Sequence, residues 1–252
     1  MMRPLPVLFA VLLFALPVLA ADADSAVALS RQRVEAADFR ASGHLVKVDA
    51  AGVRTSYAFT LKAHWFPGIL RVLLEIASPA DARAHILLEM PPNGPSTIKI
   101  AHPGDSVPAT LPFDKWSDGP LGSGFSYEDF IEPQFFWPGQ KLVEQAKFGA
   151  RDCDVIRSTP GAADRTHYSA VRTWLDRAIG FPVYVEKTLK DSAVVKEFTY
   201  FGLRHNGGVW SASQVESKTR GHAGSTLLII DRGGAKANLA LKEFSPESLI
   251  HF

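Results

Sequence analysis

The residues able to do covalent chemistry stand in arrangements that fall short of it. An α/β-type serine hydrolase needs Gly-x-Ser-x-Gly on a strand-to-helix elbow. The nearest match, Gly124-Phe125-Ser126-Tyr127-Glu128, lacks the closing glycine. Gly122-Ser123-Gly124 opens like a dinucleotide-binding loop, but Tyr127 takes the third glycine position and no βαβ pattern surrounds it. The 8 histidines form no His-x-x-x-His or His-Glu pair, so a zinc site would have to be assembled from distant strands. Asp152 and Asp154 lie two apart on a predicted strand and could share a face as acid and base, although a solvated strand edge carries the same charges. Cys153, the single cysteine, sits in a short apolar run and reads as a small buried hydrophobe. No catalytic residue, metal ligand or cofactor is assigned.

The elements that position these residues are mostly strands. Val27, Val34 and Ala37 share one face of an amphipathic helix predicted over 25–39. From Gly43 the period changes to two, and 44–49 and 55–65 read as a hairpin turning at Ala51-Gly52. In its second arm Tyr57, Phe59, Leu61, Ala63 and Trp65 alternate with Ala58, Thr60, Lys62 and His64, giving one apolar face. Strands over 69–77, 84–90 and 97–101 continue the pattern, with Leu70, Val72, Leu74 and Ile76, then Ile86, Leu88 and Met90, then Ile98 and Ile100 on the same side.

Between about 103 and 140 the chain becomes rich in proline and aromatic residues. Ser126-Tyr127-Glu128-Asp129 there has the spacing of a helix start, where hydroxyl and carboxylate satisfy free backbone donors. Strands are predicted to resume over 141–148, 152–158, 168–176, 182–189, 194–203, 209–218, 225–231 and 236–241, with Arg232-Gly233-Gly234 as turn material. Ser245-Pro246 caps a last helix. This pattern gives a mainly β (α+β) chain: a single antiparallel sheet curled around a core, in one domain over 21–252.

Composition sets the class of partner. The chain has 252 residues, 46% hydrophobic and 21% charged, with 27 Lys plus Arg against 26 Asp plus Glu. There is no basic field for nucleic acid. Met1-Met2-Arg3, the apolar run 5–19 and Val18-Leu19-Ala20 read as a secretory signal peptide over 1–20, cleaved after Ala20. Ala21 and Asp22 follow where an acylated cysteine would stand, so the expected product is soluble in the periplasm, not lipid-anchored by that route, and monomeric.

Leu121-Gly122-Ser123-Gly124-Phe125-Ser126-Tyr127-Glu128-Asp129-Phe130 resembles the Gly-Ser-Asp-Phe-Ser-Tyr-Glu-Asp-Leu signature of the outer-membrane lipoprotein-sorting protein family, related to the periplasmic lipoprotein carriers. Tyr168, Trp174-Leu175-Asp176, Phe181-Pro182, Glu186 and the segment from Phe244 to Leu249 are similar to further parts of that family. The family's Asp is Gly124 here. The resemblance implies an unclosed half-barrel whose concave apolar face is covered by helices, holding acyl chains. The partners it implies are lipid or lipoprotein acyl chains and an inner-membrane transporter or outer-membrane acceptor.

On this reading Phe59, Leu61, Leu74, Ile76, Leu88 and Ile100 line the cavity, and Gly122, Gly124, Phe125, Tyr127, Phe130 and Ile131 belong to a movable lid. A chain of about 16 carbons gains roughly 12 kcal/mol on leaving water and needs such a carrier to cross an aqueous compartment. The alternatives are a scaffold that docks on a transporter without cargo, a periplasmic hydrolase, and, for the same residues, a filled core under a fixed aromatic plug.

Overall fold

The computed structural model describes residues 23–252 except Asn93; the signal-peptide expectation for 1–20 lies outside them. Among the described residues no helix is long and apolar enough to cross a membrane.

The chain opens with α1 (Ala23–Glu35), whose buried residues Ala23, Val27, Ser30 and Val34 recur at helical spacing. Strands β1 (Asp38–Val48), β2 (Arg54–Phe66), β3 (Ile69–Ser78), β4 (Ala84–Met90), β5 (Thr97–Ala101) and the two-residue β6 (Ala109–Thr110) follow. After a stretch of short 3-10 turns come β7 (Gly139–Phe148), β8 (Arg151–Thr159), β9 (Tyr168–Asp176), β10 (Pro182–Leu189), β11 (Val195–Asn206), β12 (Val209–Thr219) and β13 (Ser225–Ala235). A short helix, α2 (Pro246–Ile250), ends the chain, with the Ser245 hydroxyl accepting from the Ser248 N–H.

All 13 strands form one antiparallel sheet, in the order β6-β5-β4-β3-β2-β1-β13-β12-β11-β10-β9-β8-β7. The meander is joined in the middle, where the first strand pairs with the last, and β6 and β7 remain free edges. The sheet is therefore an open half-barrel, as expected. The segment connecting those two edges crosses the concave side.

Pairing fixes which side chains share that side. Phe59 faces Ile76, Leu61 faces Leu74, Leu74 faces Ile86 and Ile86 faces Ile100 across successive ladders. The alternation seen in β2 thus propagates over four strands, because antiparallel register keeps each apolar residue opposite another. α1 and the aromatic connection cover this face, contributing Val27, Val34, Trp116, Phe125, Ile131, Phe135 and Trp137 to one cluster with it.

Three local expectations are corrected. The first helix stops at Glu35 and Asp38 already belongs to β1, because the Asp38 carboxylate accepts from the backbone N–H groups of Asn238 and Leu239 and ties the start of the strand to the end of the chain. Arg232-Gly233-Gly234 is strand rather than turn, paired with Ser42, Ala41 and Arg40. The segment 236–241 is not a strand, since Lys236 and Asn238 adopt positive φ (59° and 53°) as the backbone turns to reach Asp38.

The convex side is also partly covered. Leu73, Leu87 and Ala101 point away from the concave core and pack with Leu239, Phe244 and Leu249. His85 reaches the Leu249 carbonyl (2.9 Å) and stacks on Phe252 (4.0 Å between centroids).

Candidate functional site

The space under the sheet is divided. Over β2 to β5 the aromatic connection fills it, and Phe59, Leu74, Ile76 and Leu88 are buried within the resulting cluster, with Ile100 half-buried against it. Toward the start of β1 a cavity of about 240 Å³ remains. Its apolar wall includes Val34, Leu61, Ala63, Leu70, Val72 and Phe181, and Phe130 and Ile131 close one side. Of the six cavity residues expected from sequence, Leu61 reaches this space; the others occupy the packed part.

The opening follows from the ladders. β12 and β13 pair only from Gln214 to Ser217 against Thr226 to Ile229. Beyond that the strands part, and Val209, Trp210 and Ser211 on one side and Gly233, Gly234 and Ala235 on the other border the cavity. The two glycines present no side chain to fill the gap.

The polar part of the lining centres on one ion pair. Arg33, at the end of α1, gives Nη2 to Glu132 Oε2 at 2.6 Å, and its guanidinium carbon stands 5.0 Å from the centre of the Phe181 ring. The pair joins α1 to the end of the lid segment, just after Phe130 and Ile131.

A second, wholly buried charge fixes the middle of that segment. A 3-10 turn over Tyr127–Phe130 begins at Ser126, whose N–H donates to Asp129 Oδ2 at 2.7 Å. Asp129 Oδ1 accepts from Lys187 Nζ (2.8 Å) and from the Tyr168 hydroxyl (2.7 Å), and Lys196 Nζ lies 3.6 Å from Oδ2. Burial alone would raise the Asp129 pKa, but the two ammonium groups and the Lys187 and Tyr168 hydrogen bonds outweigh it and hold the carboxyl at about 2. Tyr168 is pushed well above its ordinary range by burial and by the neighbouring carboxylates. Glu128, also buried, accepts from Thr166 Oγ1 (2.6 Å) and the His167 N–H (3.1 Å).

The remaining lid residues have structural partners. Gly122 has φ of 62°, a conformation glycine takes without penalty. Gly124 lies against two hydroxyls: its N–H donates to Thr226 Oγ1 (2.8 Å) and its carbonyl accepts from Ser217 Oγ (3.1 Å). A Cβ at Gly124 would stand 3.2 to 3.3 Å from those oxygens, which is tight packing for any larger residue. Phe125 is buried between Phe130 and Phe198, and Tyr127 is half-buried against the core.

The groups first considered for catalysis are engaged elsewhere. Ser126 is buried with its hydroxyl 2.9 Å from that of Tyr168. Asp154 accepts from Gln145, Asp152 is exposed beside Lys147, and burial raises the pKa of the Cys153 thiol.

Sequence reasoning missed Arg33, Glu132, Lys187 and Lys196. The lysines had a signal: Lys187 continues the buried alternation of Val183 and Val185, and Lys196 that of Phe198 and Tyr200. A lysine at an apolar-face position implies a buried partner. Arg33 and Glu132 had no such mark, since both fall on polar positions of irregular or terminal segments.

Residues 72–251 match the model of a family described as uncharacterized proteins. Among curated proteins none matches in sequence. The fold is LolA-like. A putative outer membrane lipoprotein-sorting protein domain from Vibrio parahaemolyticus superposes with a TM-score of 0.81 at 19% identity, over 91% of this chain and 100% of that one. A DUF1329 family protein from Desulfovibrio piger gives 0.79 at 16%, over 90% and 98%. A LolA superfamily protein from Nitrosomonas europaea gives 0.67 at 14%, over 89% and 99%.

Proposed function

The chain belongs to that family of uncharacterized proteins, and we propose that it is a periplasmic carrier that holds lipid or lipoprotein acyl chains under its curved sheet and ferries them between membranes beside a membrane transporter. The observation that carries this reading is the apolar cavity of about 240 Å³ walled by Leu61, Leu70 and Val72 and closed by Phe130 and Ile131. The lipoprotein-sorting relative named above supports it through its fold.

Size sets how such a carrier would work. If a methylene needs about the volume of a liquid water, roughly 30 Å³, the cavity takes about eight of them. At about 0.8 kcal/mol per methylene, that burial contributes roughly 6 kcal/mol, and a 16-carbon chain would gain about as much again from space now filled. Displacing the segment 122–131 supplies that space. Opening it separates Asp129 from Lys187 and Lys196 and uncovers Phe125 and Ile131, so part of that gain is offset.

Mass spectrometry of an organic extract from protein purified without detergent tests the reading. Acyl lipid in near-stoichiometric amount is expected. No extracted lipid together with no binding of a fluorescent acyl probe would favour a scaffold without cargo, a reading that the filled interior around Phe59, Leu74 and Leu88 supports.

A further inference from the structure

Within the carrier reading, on which this step rests, the sheet itself supplies a way in. β12 and β13 separate beyond Gln214 and Ile229, yet neither strand frays. Val209 to Ala212 still pair with β11, opposite Asn206 to Leu203, and Arg232 to Ala235 still pair with β1, opposite Ser42 to Phe39. The gap is therefore built into the sheet and held from both sides. Its cause is local. Ser42 faces Arg232 but Gly43 faces Ile230, so Asp231 is an extra residue that bends β13 just past its last pair with β12. At the far end the turn between β11 and β12 closes the gap again, since a Cβ at Gly207 would lie 3.4 Å from that of Ala235.

The chemistry changes across this opening. Leu61, Leu70 and Val72 stand inside it. At the rim the N–H and C=O groups of two strand edges face a gap instead of a ladder, and such groups require polar partners. A methylene chain is favoured beyond the rim and a polar head on it. Gly233 and Gly234 leave the passage clear, and nothing lies within 4 Å of where a Cβ on Gly234 would stand. The route under 122–131 is instead barred by Asp129 with Lys187 and by Glu132 with Arg33.

We propose that the gap between β12 and β13 is the port of the cavity. A single acyl chain enters through it tail first, its polar head stays on the unpaired strand edges, and the segment 122–131 yields only to chain length beyond what the cavity holds.

Stopped-flow association of N-decyl dansylamide, its chain sized to the cavity, with the full chain tests this. Ser211→Cys and Gly234→Cys each place a thiol at the rim, and N-phenylmaleimide is attached after folding. Each unlabelled variant thus reports that fold and cavity are intact. Cys153 is spared, because it is 1% exposed and burial raises its thiol pKa. Labelling should slow association about tenfold at one or both rim positions. Labelling Ser56→Cys, on the exposed convex side of β2, should leave the rate unchanged. No slowing at either rim position would overturn the port, and faster association of Asp129→Asn would then place entry under the lid. Equal slowing at Ser56→Cys would overturn it too, as a general effect of modification. Unlabelled protein that binds no probe would overturn the carrier reading itself.

Discussion

Replacing Asp129 by Asn tests whether the lid segment is held by a buried charge or only by its aromatic residues. The Asp129 side chain is 1% exposed, and its lysine partners Lys187 and Lys196 are 6% and 12% exposed. The substitution keeps the shape and leaves two ammonium groups without a counter-charge, so the expected loss is about 3–5 kcal/mol. For a domain of this size that lowers the thermal midpoint by roughly 10 °C. The pH dependence gives an independent measure. The lysines and the Tyr168 hydroxyl hold the carboxyl at about 2 in the folded chain, below the ordinary Asp value of 3.8. Its pKa is depressed, so its contribution of about 2 kcal/mol is fully present above the unfolded value and disappears as pH falls from about 4 to about 2. Urea unfolding of wild type and Asp129→Asn from pH 7 to pH 2 reads this directly, since other carboxylates titrate in both proteins and cancel in the difference. The gap between the two curves should be widest at neutral pH and shrink across that window. Hydrogen exchange should rise over 122–131 more than in β2 to β4. A loss below about 1 kcal/mol at pH 7, or a gap that does not change with pH, would refute the buried-charge argument.

Leu61→Asp places a carboxylate against the cavity and should weaken a fluorescent acyl probe at least tenfold, while Ser56→Asp, on the exposed convex side of the same strand, should leave binding unchanged; parallel titrations with circular dichroism separate lost binding from lost fold. Lys62 is unsuited as the control, because its ammonium bridges Glu75 and Glu243 and an acid there would gather three carboxylates. Leu249→Ala should cost about 2–5 kcal/mol by chemical denaturation without changing probe affinity, since Leu249 is buried on the convex face. Phe130→Ala should raise apparent probe affinity severalfold and speed exchange over 122–131, as it weakens closure over the cavity; slow exchange unaffected by saturating lipid would instead mean a fixed plug.

The strands were legible because their faces alternate. Tyr57 to Trp65 and Leu70 to Ile76 state a period of two that no helix could satisfy, and antiparallel pairing then carried the apolar residues onto one side. The turn at Ser126 was equally readable, because Ser-x-x-Asp is a local pattern whose partners lie three residues apart. What the pattern could not say is how much of the concave side stays empty. Leu61 and Leu74 are neighbours of one type on one face, yet Leu61 meets the cavity and Leu74 meets packed side chains. That difference is set by the path of the connection between β6 and β7, a long-range fact.

The convex cluster escaped notice for a related reason. Leu73 and Leu87 are apolar residues on the face that alternation assigns to water, and each taken alone reads as an ordinary exposed leucine. Only the return of Leu239, Phe244 and Leu249 explains them. Asp38 makes that return possible by accepting from Asn238 and Leu239, and it also ends the first helix, because a residue held at the far end of the chain cannot continue α1. One carboxylate thereby sets the start of β1 and brings the last helix to the outer face. It places Val34, Ala36 and Ala37 beside the gap between β12 and β13, where the cavity lies. The position of the candidate site therefore depends on a contact between two ends of the sequence, which no local reading of either end contains.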